Sequence, residues 1–79
     1  MAQKEVIIYS VPTCPYCVMV KQYLKQKGIE FTEFDVSRDL FKAMESERKS
    51  GSGGVPVIDI GGKIILGFNK ELIEKILEQ

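Results

Sequence analysis

Thr13-Cys14-Pro15-Tyr16-Cys17 holds both cysteines of the chain and stands between an apolar run and a stretch with helical spacing. Val6-Ile7-Ile8-Tyr9 is continuously apolar and rich in β-branched residues, the pattern of a strand buried on both faces. Ser10-Val11-Pro12 reads as a loop, because Pro12 has no N–H to give a ladder. Thr13 is placed to cap a helix, and Pro15 falls in its first turn, where a missing N–H costs nothing. A strand that runs into a helix with two thiols three residues apart in its first turn limits the fold more than any other stretch. The two sulfurs can close a small ring. The first sits at the positive end of the helix, beside unpaired N–H groups, a setting expected to lower its pKa below that of free cysteine.

The remaining pattern supplies the frame. The first helix is expected to run to about residue 27, with Cys17, Val20, Tyr23 and Leu24 on one stripe and Gly28 as a left-handed cap. Residues 31–36 read as a second strand. Ser37 is expected to cap a second helix over residues 38–50, with Leu40, Phe41 and Met44 as its core face. Gly51-Ser52-Gly53-Gly54 is a loop too short to link domains. Residues 55–60 form a third strand, Gly61-Gly62 a two-residue hairpin turn and residues 63–66 a fourth strand. Asn69 caps a last helix striped by Leu72, Ile73, Ile76 and Leu77, with Phe68 as a staple onto Ile73. The order β-α-β-α-β-β-α makes an α/β fold. The first crossover sets two strands parallel and the hairpin sets two antiparallel, so a four-stranded mixed sheet is flanked by three helices in one domain spanning residues 1–79.

Composition removes several function classes. A formal net charge of zero argues against nucleic acid, whose phosphates call for a basic surface. No apolar run approaches membrane-spanning length and no signal peptide is visible, so no membrane is expected and the cytoplasm is the expected compartment. Histidine is absent, which removes the commonest general base and metal ligand. Chemistry then rests on sulfur, carboxylates, lysines or the backbone. Cys14 is the candidate nucleophile: it attacks a substrate disulfide to form a mixed disulfide. Cys17, one turn inside, attacks Cys14 in turn and releases the reduced substrate. Lys21, one turn further, either adds a positive field that stabilises the thiolate or is a plain solvated lysine. Two rival readings of the cysteines are a structural disulfide and part of a metal site. So short a loop makes a weak staple, and zinc normally takes four N or S ligands where this chain offers two thiols.

Cys14-Pro15-Tyr16-Cys17 after a strand and loop, Val55-Pro56 opening the third strand, a Gly-Gly hairpin and Gly67 before a last helix together resemble a dithiol glutaredoxin over nearly the whole chain. The resemblance implies a thioredoxin-like fold and a monomeric thiol–disulfide oxidoreductase without a tightly bound cofactor. It implies glutathione as reductant, and disulfide-containing or glutathionylated proteins as partners. It also implies a cis Pro56 facing Cys14, with Thr13, Tyr16, Val55, Phe68 and Asn69 completing the substrate site. Three positions depart from the family pattern. Val11 stands where many members carry Lys or Arg, Gly54 where Thr precedes Val-Pro, and Lys70 where a second acidic residue faces the glutathione ammonium. Lys49 is a candidate distal cation in their place, or a solvated helix-end lysine. Gly67-Phe68 and the short length also resemble redoxins that take electrons from thioredoxin reductase and feed ribonucleotide reductase. A reading from another class is an iron–sulfur-binding dimer ligated by Cys14.

Overall fold

Strand pairing puts the apolar run of the N-terminal stretch inside the sheet. The computed structural model describes residues 5–51 and 53–78, with elements β1 (Val6–Ser10), α1 (Pro15–Gln26), β2 (Thr32–Asp35), α2 (Leu40–Ser50), β3 (Val57–Ile60), β4 (Lys63–Leu66) and α3 (Lys70–Leu77). The sheet order is β2-β1-β3-β4. β1 runs parallel to β2 with Ile8 opposite Glu33, and antiparallel to β3 with Ile8 opposite Ile58. β3 and β4 form the hairpin, turned by Gly61 and Gly62 at φ +57° and +94°, a conformation that needs glycine. The α/β class and the four-stranded mixed sheet with three helices are those expected from the sequence. No helix among the described residues is long and apolar enough to cross a membrane.

Successive strand residues point to opposite faces, and the two faces are furnished differently. One face sends Val6 and Ile8 of β1, Ile58 and Ile60 of β3 and Ile65 of β4 against Val20 and Leu24 of α1 and Ile73 and Ile76 of α3. Phe68 packs against this cluster, which contains Ile73, and meets Tyr23 edge-on with ring centroids 5.8 Å apart. The other face carries Tyr9, Phe34 and Asp59. Tyr9 and Phe34 lie with ring centroids 5.9 Å apart. α2 covers them with polar side chains. The Tyr9 hydroxyl donates to Glu45, Lys49 donates to the Tyr9 hydroxyl (2.9 Å) and to Asp59 (2.7 Å), and the Lys42 ammonium lies 4.2 Å from the centre of the Phe34 ring.

Four expectations are corrected. Leu40, Phe41 and Met44 do not face the core: they are 72%, 82% and 50% exposed, and the helix is turned so that Lys42, Glu45, Ser46 and Lys49 face inward. The same holds in small for Leu72, which is exposed on α3. α2 starts later than expected, because the Asp35 carboxylate holds Ser37 through both its N–H (2.9 Å) and its hydroxyl (2.5 Å), and Asp39 takes over the cap by accepting from the Lys42 N–H at 3.1 Å. β2 is shorter than residues 31–36; Phe31 packs against the core cluster without joining the ladder. β3 begins at Val57, since Pro56 has no N–H for the ladder and the Val55–Pro56 bond is cis.

Candidate redox site

β1 ends at Ser10, and the chain turns at once: the Cys14 N–H donates back to the Val11 carbonyl at 3.2 Å. Cys14 then occupies the N-cap of α1 in extended conformation, with Pro15 following in the first turn. This corrects the expected cap at Thr13, which is exposed in the turn. The capping atom is sulfur. Cys14 Sγ accepts the Cys17 N–H at 3.2 Å, so one of the orphan donors of the helix start points at the thiol. Cys17 lies one turn further in and is fully buried against the sheet, and both thiols are free. Burial pushes the Cys17 thiol up to about 11; the hydrogen bond with Cys14 adds to the rise, and a backbone hydrogen bond at Val11 and the Lys21 charge work against it. The two cysteines therefore differ in kind: one half-buried with a donor aimed at its sulfur, one fully buried and held protonated at neutral pH.

A cleft of about 760 Å³ opens beside this turn. Tyr16, exposed, forms one wall; Val55 and the cis Pro56 form another; Gly67, Phe68 and Asn69 close the third side. The Gly67 N–H donates to the Pro56 carbonyl at 2.9 Å, which ties the β4–α3 turn to the segment before β3. Five of the expected substrate residues thus meet in one cleft: Tyr16, Val55, Pro56, Phe68 and Asn69. The Asn69 side chain is occupied as the cap of α3, accepting from the Leu72 N–H at 3.1 Å, and the Phe68 ring is occupied by Tyr23, so both offer their backbone. Thr13 is not among the lining residues.

Lys21 is engaged in an ion pair. Its ammonium pairs with Glu33 at 2.7 Å, and the Ser10 hydroxyl donates to the same carboxylate oxygen at 2.7 Å. These contacts, the Lys21 hydrogen bond first, hold the Glu33 carboxyl below the usual range. Lys49 is likewise spent, on Asp59 and Tyr9 between α2 and the sheet, so it is no distal cation of the cleft. The sequence reading missed Leu66, Lys70 and Glu71 as cleft residues. Only Lys70 left a trace, as a base where the resemblance led to an acid. Its ammonium lies 5.5 Å from the Tyr23 ring centre.

The glutaredoxin family profile matches residues 6–65. The chain belongs to the glutaredoxin family. A glutaredoxin-like 8.6 kDa protein in the rubredoxin operon of Clostridium pasteurianum is 49% identical over 72 residues, covering 91% of this chain and 96% of that protein. Glutaredoxin 3 of Escherichia coli is 39% identical over 60 residues, covering 76% of this chain and 72% of that one. The crystal structure of a glutaredoxin from Archaeoglobus fulgidus superposes with a TM-score of 0.87 at 28% identity, covering 96% of this chain and 88% of the other. The glutaredoxin fold seen here is thus the thioredoxin-like one, as the resemblance implied.

Proposed function

We propose that this glutaredoxin is a dithiol thiol–disulfide oxidoreductase that reduces protein disulfides or glutathione mixed disulfides in the cytoplasm, with glutathione as its reductant. The observation that carries the reading is the asymmetry of the pair: Cys14 caps α1 with the Cys17 N–H aimed at its sulfur, and Cys17 is buried one turn behind it with its thiol raised to about 11. Cys14 attacks as a thiolate on one sulfur of the substrate disulfide. The S–S bond breaks, a Cys14–substrate bond forms and the other substrate sulfur leaves as a thiolate that takes up a proton. The Cys17 N–H stays aimed at the Cys14 sulfur while charge leaves it. Cys17 then gives up its proton and attacks Cys14; the second substrate thiol departs, and two electrons have passed from the dithiol to the substrate. Two glutathione thiols reverse the change, the first by forming a mixed disulfide at Cys14 and the second by releasing it as glutathione disulfide. No tightly bound cofactor is needed. Pro56 and Val55 shape the wall against which the substrate chain lies, and the Phe68 and Asn69 backbone offers N–H groups to a carboxylate.

The test couples the protein to NADPH consumption. With glutathione and glutathione reductase the wild type turns over a glutathionylated substrate. Cys14→Ser abolishes turnover, and Cys17→Ser retains reduction of glutathione mixed disulfides through Cys14 alone. Full activity in Cys14→Ser overturns the nucleophile. Turnover with thioredoxin reductase and none with glutathione overturns the reductant and favours the reductase-coupled reading, for which Lys70 at the cleft gives a reason: an ammonium there repels the ammonium of glutathione.

A further inference from the structure

A single carboxylate oxygen gathers three elements behind the redox turn. Ile8 of β1 lies opposite Glu33 of β2 and packs against α1, so Glu33 shares that face with Ser10, two residues beyond Ile8. There Glu33 Oε2 accepts from the Lys21 ammonium of α1 and from the hydroxyl of buried Ser10, each at 2.7 Å. Each donor leads to Cys17. Lys21 follows Cys17 by four residues on α1, which sets the two side chains one turn apart on one side of the helix. Ser10 is the last residue of β1 and precedes Val11, whose backbone hydrogen-bonds the Cys17 sulfur and whose carbonyl accepts the Cys14 N–H at 3.2 Å. Burial and Cys14 disfavour a thiolate at Cys17; the Val11 hydrogen bond and the Lys21 charge favour it. Glu33 is bonded to one of these two supports and to the chain neighbour of the other.

We propose that Glu33 is a positioning residue for the second thiol exchange: by clamping Lys21 and Ser10 to one oxygen, it holds the Lys21 charge and the Val11 backbone around Cys17 while that sulfur attacks Cys14. This role rests on the dithiol reading above, in which Cys17 is the resolving thiol. In that step Cys17 gives its proton to solvent and its sulfur bonds to Cys14. The bond from Cys14 to the substrate sulfur breaks, and the substrate leaves as a thiolate carrying the electron pair. The buried thiol holds little thiolate at neutral pH, so whatever stabilises the anion there acts directly on the rate. Glu33 itself is held ionised: its carboxyl lies below the usual range, through the Lys21 and Ser10 hydrogen bonds and against the charge of Asp35, two residues along β2. The clamp therefore persists from mildly acid pH upward. One further unit on the Cys17 pKa leaves about tenfold less thiolate, each about threefold more nucleophilic, so the attack slows about threefold.

The experiment mixes the full reduced chain with excess dithiobisnitrobenzoate, an aromatic disulfide whose thiolate product is coloured, in a stopped flow. Attack by Cys14 releases the first coloured thiolate at a rate set by the reagent concentration. Attack by Cys17 on the mixed disulfide releases the second at a rate independent of it. Glu33→Gln and Lys21→Met are each expected to slow the second phase about threefold at neutral pH and to displace its rate–pH profile upward. Lys21→Arg, which keeps the charge and the ion pair, is expected to keep the wild-type second phase. The double variant Lys21→Met/Glu33→Gln is expected to be slowed by less than the product of the two single effects, since Glu33 acts in part through Lys21. A wild type that releases a single thiolate overturns the resolving role of Cys17 and the role of Glu33 with it. Two thiolates from the wild type, with the second phase and its pH profile unchanged in Glu33→Gln, overturn the positioning role alone. Effects that multiply in full, or a Lys21→Arg as slow as Lys21→Met, overturn it as well.

Discussion

On one face of the sheet α1 and α3 press Val20, Leu24, Ile73 and Ile76 onto Val6, Ile8, Ile58 and Ile60; on the other, α2 meets Tyr9, Phe34 and Asp59 with Lys42, Glu45 and Lys49. The first contact is non-directional and scales with buried apolar area. The second depends on a chain of hydrogen bonds and ion pairs that must each be made. The redox turn belongs to the first face: Cys17 lies on the stripe of α1 that faces the apolar core, so the packing of Val20 and Leu24 fixes where the sulfurs stand. The second face leaves the apolar side of its helix free for other uses. A sheet can thus anchor one helix by its apolar stripe and another by its polar one.

Truncation of the apolar face should have the larger effect. Leu24 is fully buried, and Leu24→Ala is expected to cost about 2–5 kcal/mol in urea unfolding, the range for large-to-small changes in a core. A loss within about 0.5 kcal/mol, as at surface positions, would mean that α1 is not held by this stripe. The polar face should break through its charges instead. Lys49→Met leaves Asp59, buried and still accepting the Gly62 N–H at 2.9 Å, without its cation, and is expected to cost about 1–3 kcal/mol. Adding Asp59→Asn should recover part of that loss, because the amide leaves no uncompensated charge; strict additivity of the two changes would refute the coupling. The hydrogen bonds to Asp59 and Tyr9 raise the Lys49 pKa. Its contribution is therefore whole below the ordinary lysine pKa and is lost only as pH rises beyond it.

A third measurement separates the faces by pH. Cys17 is raised to about 11 in the folded chain, against about 8.5 for a free thiol. A raised folded pKa favours the protonated form on folding, so this contribution is complete below about pH 8.5 and is lost as pH climbs toward 11. The reduced wild type should lose about 2–3 kcal/mol across that window from this group, and reduced Cys17→Ala should show a smaller loss. The first half of the window, below the ordinary lysine and tyrosine pKa values, isolates the thiol from Lys49 and Tyr9 on the polar face. An identical pH profile in the two proteins would mean that burial does not hold Cys17 protonated.

The apolar face and the redox turn were legible because their signals are local. Val6-Ile7-Ile8-Tyr9 is long and β-branched, Cys17, Val20 and Leu24 repeat at helical spacing, and the Gly-Gly turn and the Asn69 cap need no partner to be understood. The cleft walls at Val55, Pro56, Phe68 and Asn69 came from resemblance, since nothing in their spacing ties residue 55 to residue 68. What could not be read is pairing over distance. The Lys49–Asp59 and Lys21–Glu33 ion pairs depend on which face each strand residue takes, and both lysines looked free in sequence. The cap at Cys14 was missed because thiol sulfur is an unusual cap and Thr13 stands next to it. The orientation of α2 was misread for a stronger reason. Leu40, Phe41 and Met44 satisfy the rule that an apolar stripe faces the core, and only the Tyr9 hydroxyl and Asp59 on the sheet below show why the polar stripe wins.

Leu40→Ala tests that orientation by a small effect. Leu40 is 72% exposed, at the first position of α2, and its removal takes almost no apolar contact from the folded chain. Alanine is also the better helix former, so the expected change in urea unfolding lies within about 0.5 kcal/mol of zero. The stripe read from sequence alone would make the same substitution a core truncation, at about 2–5 kcal/mol. The two outcomes do not overlap. A large loss would put α2 with its apolar face on the sheet, remove the Tyr9–Glu45–Lys49–Asp59 network from between them, and make the two faces of the sheet alike.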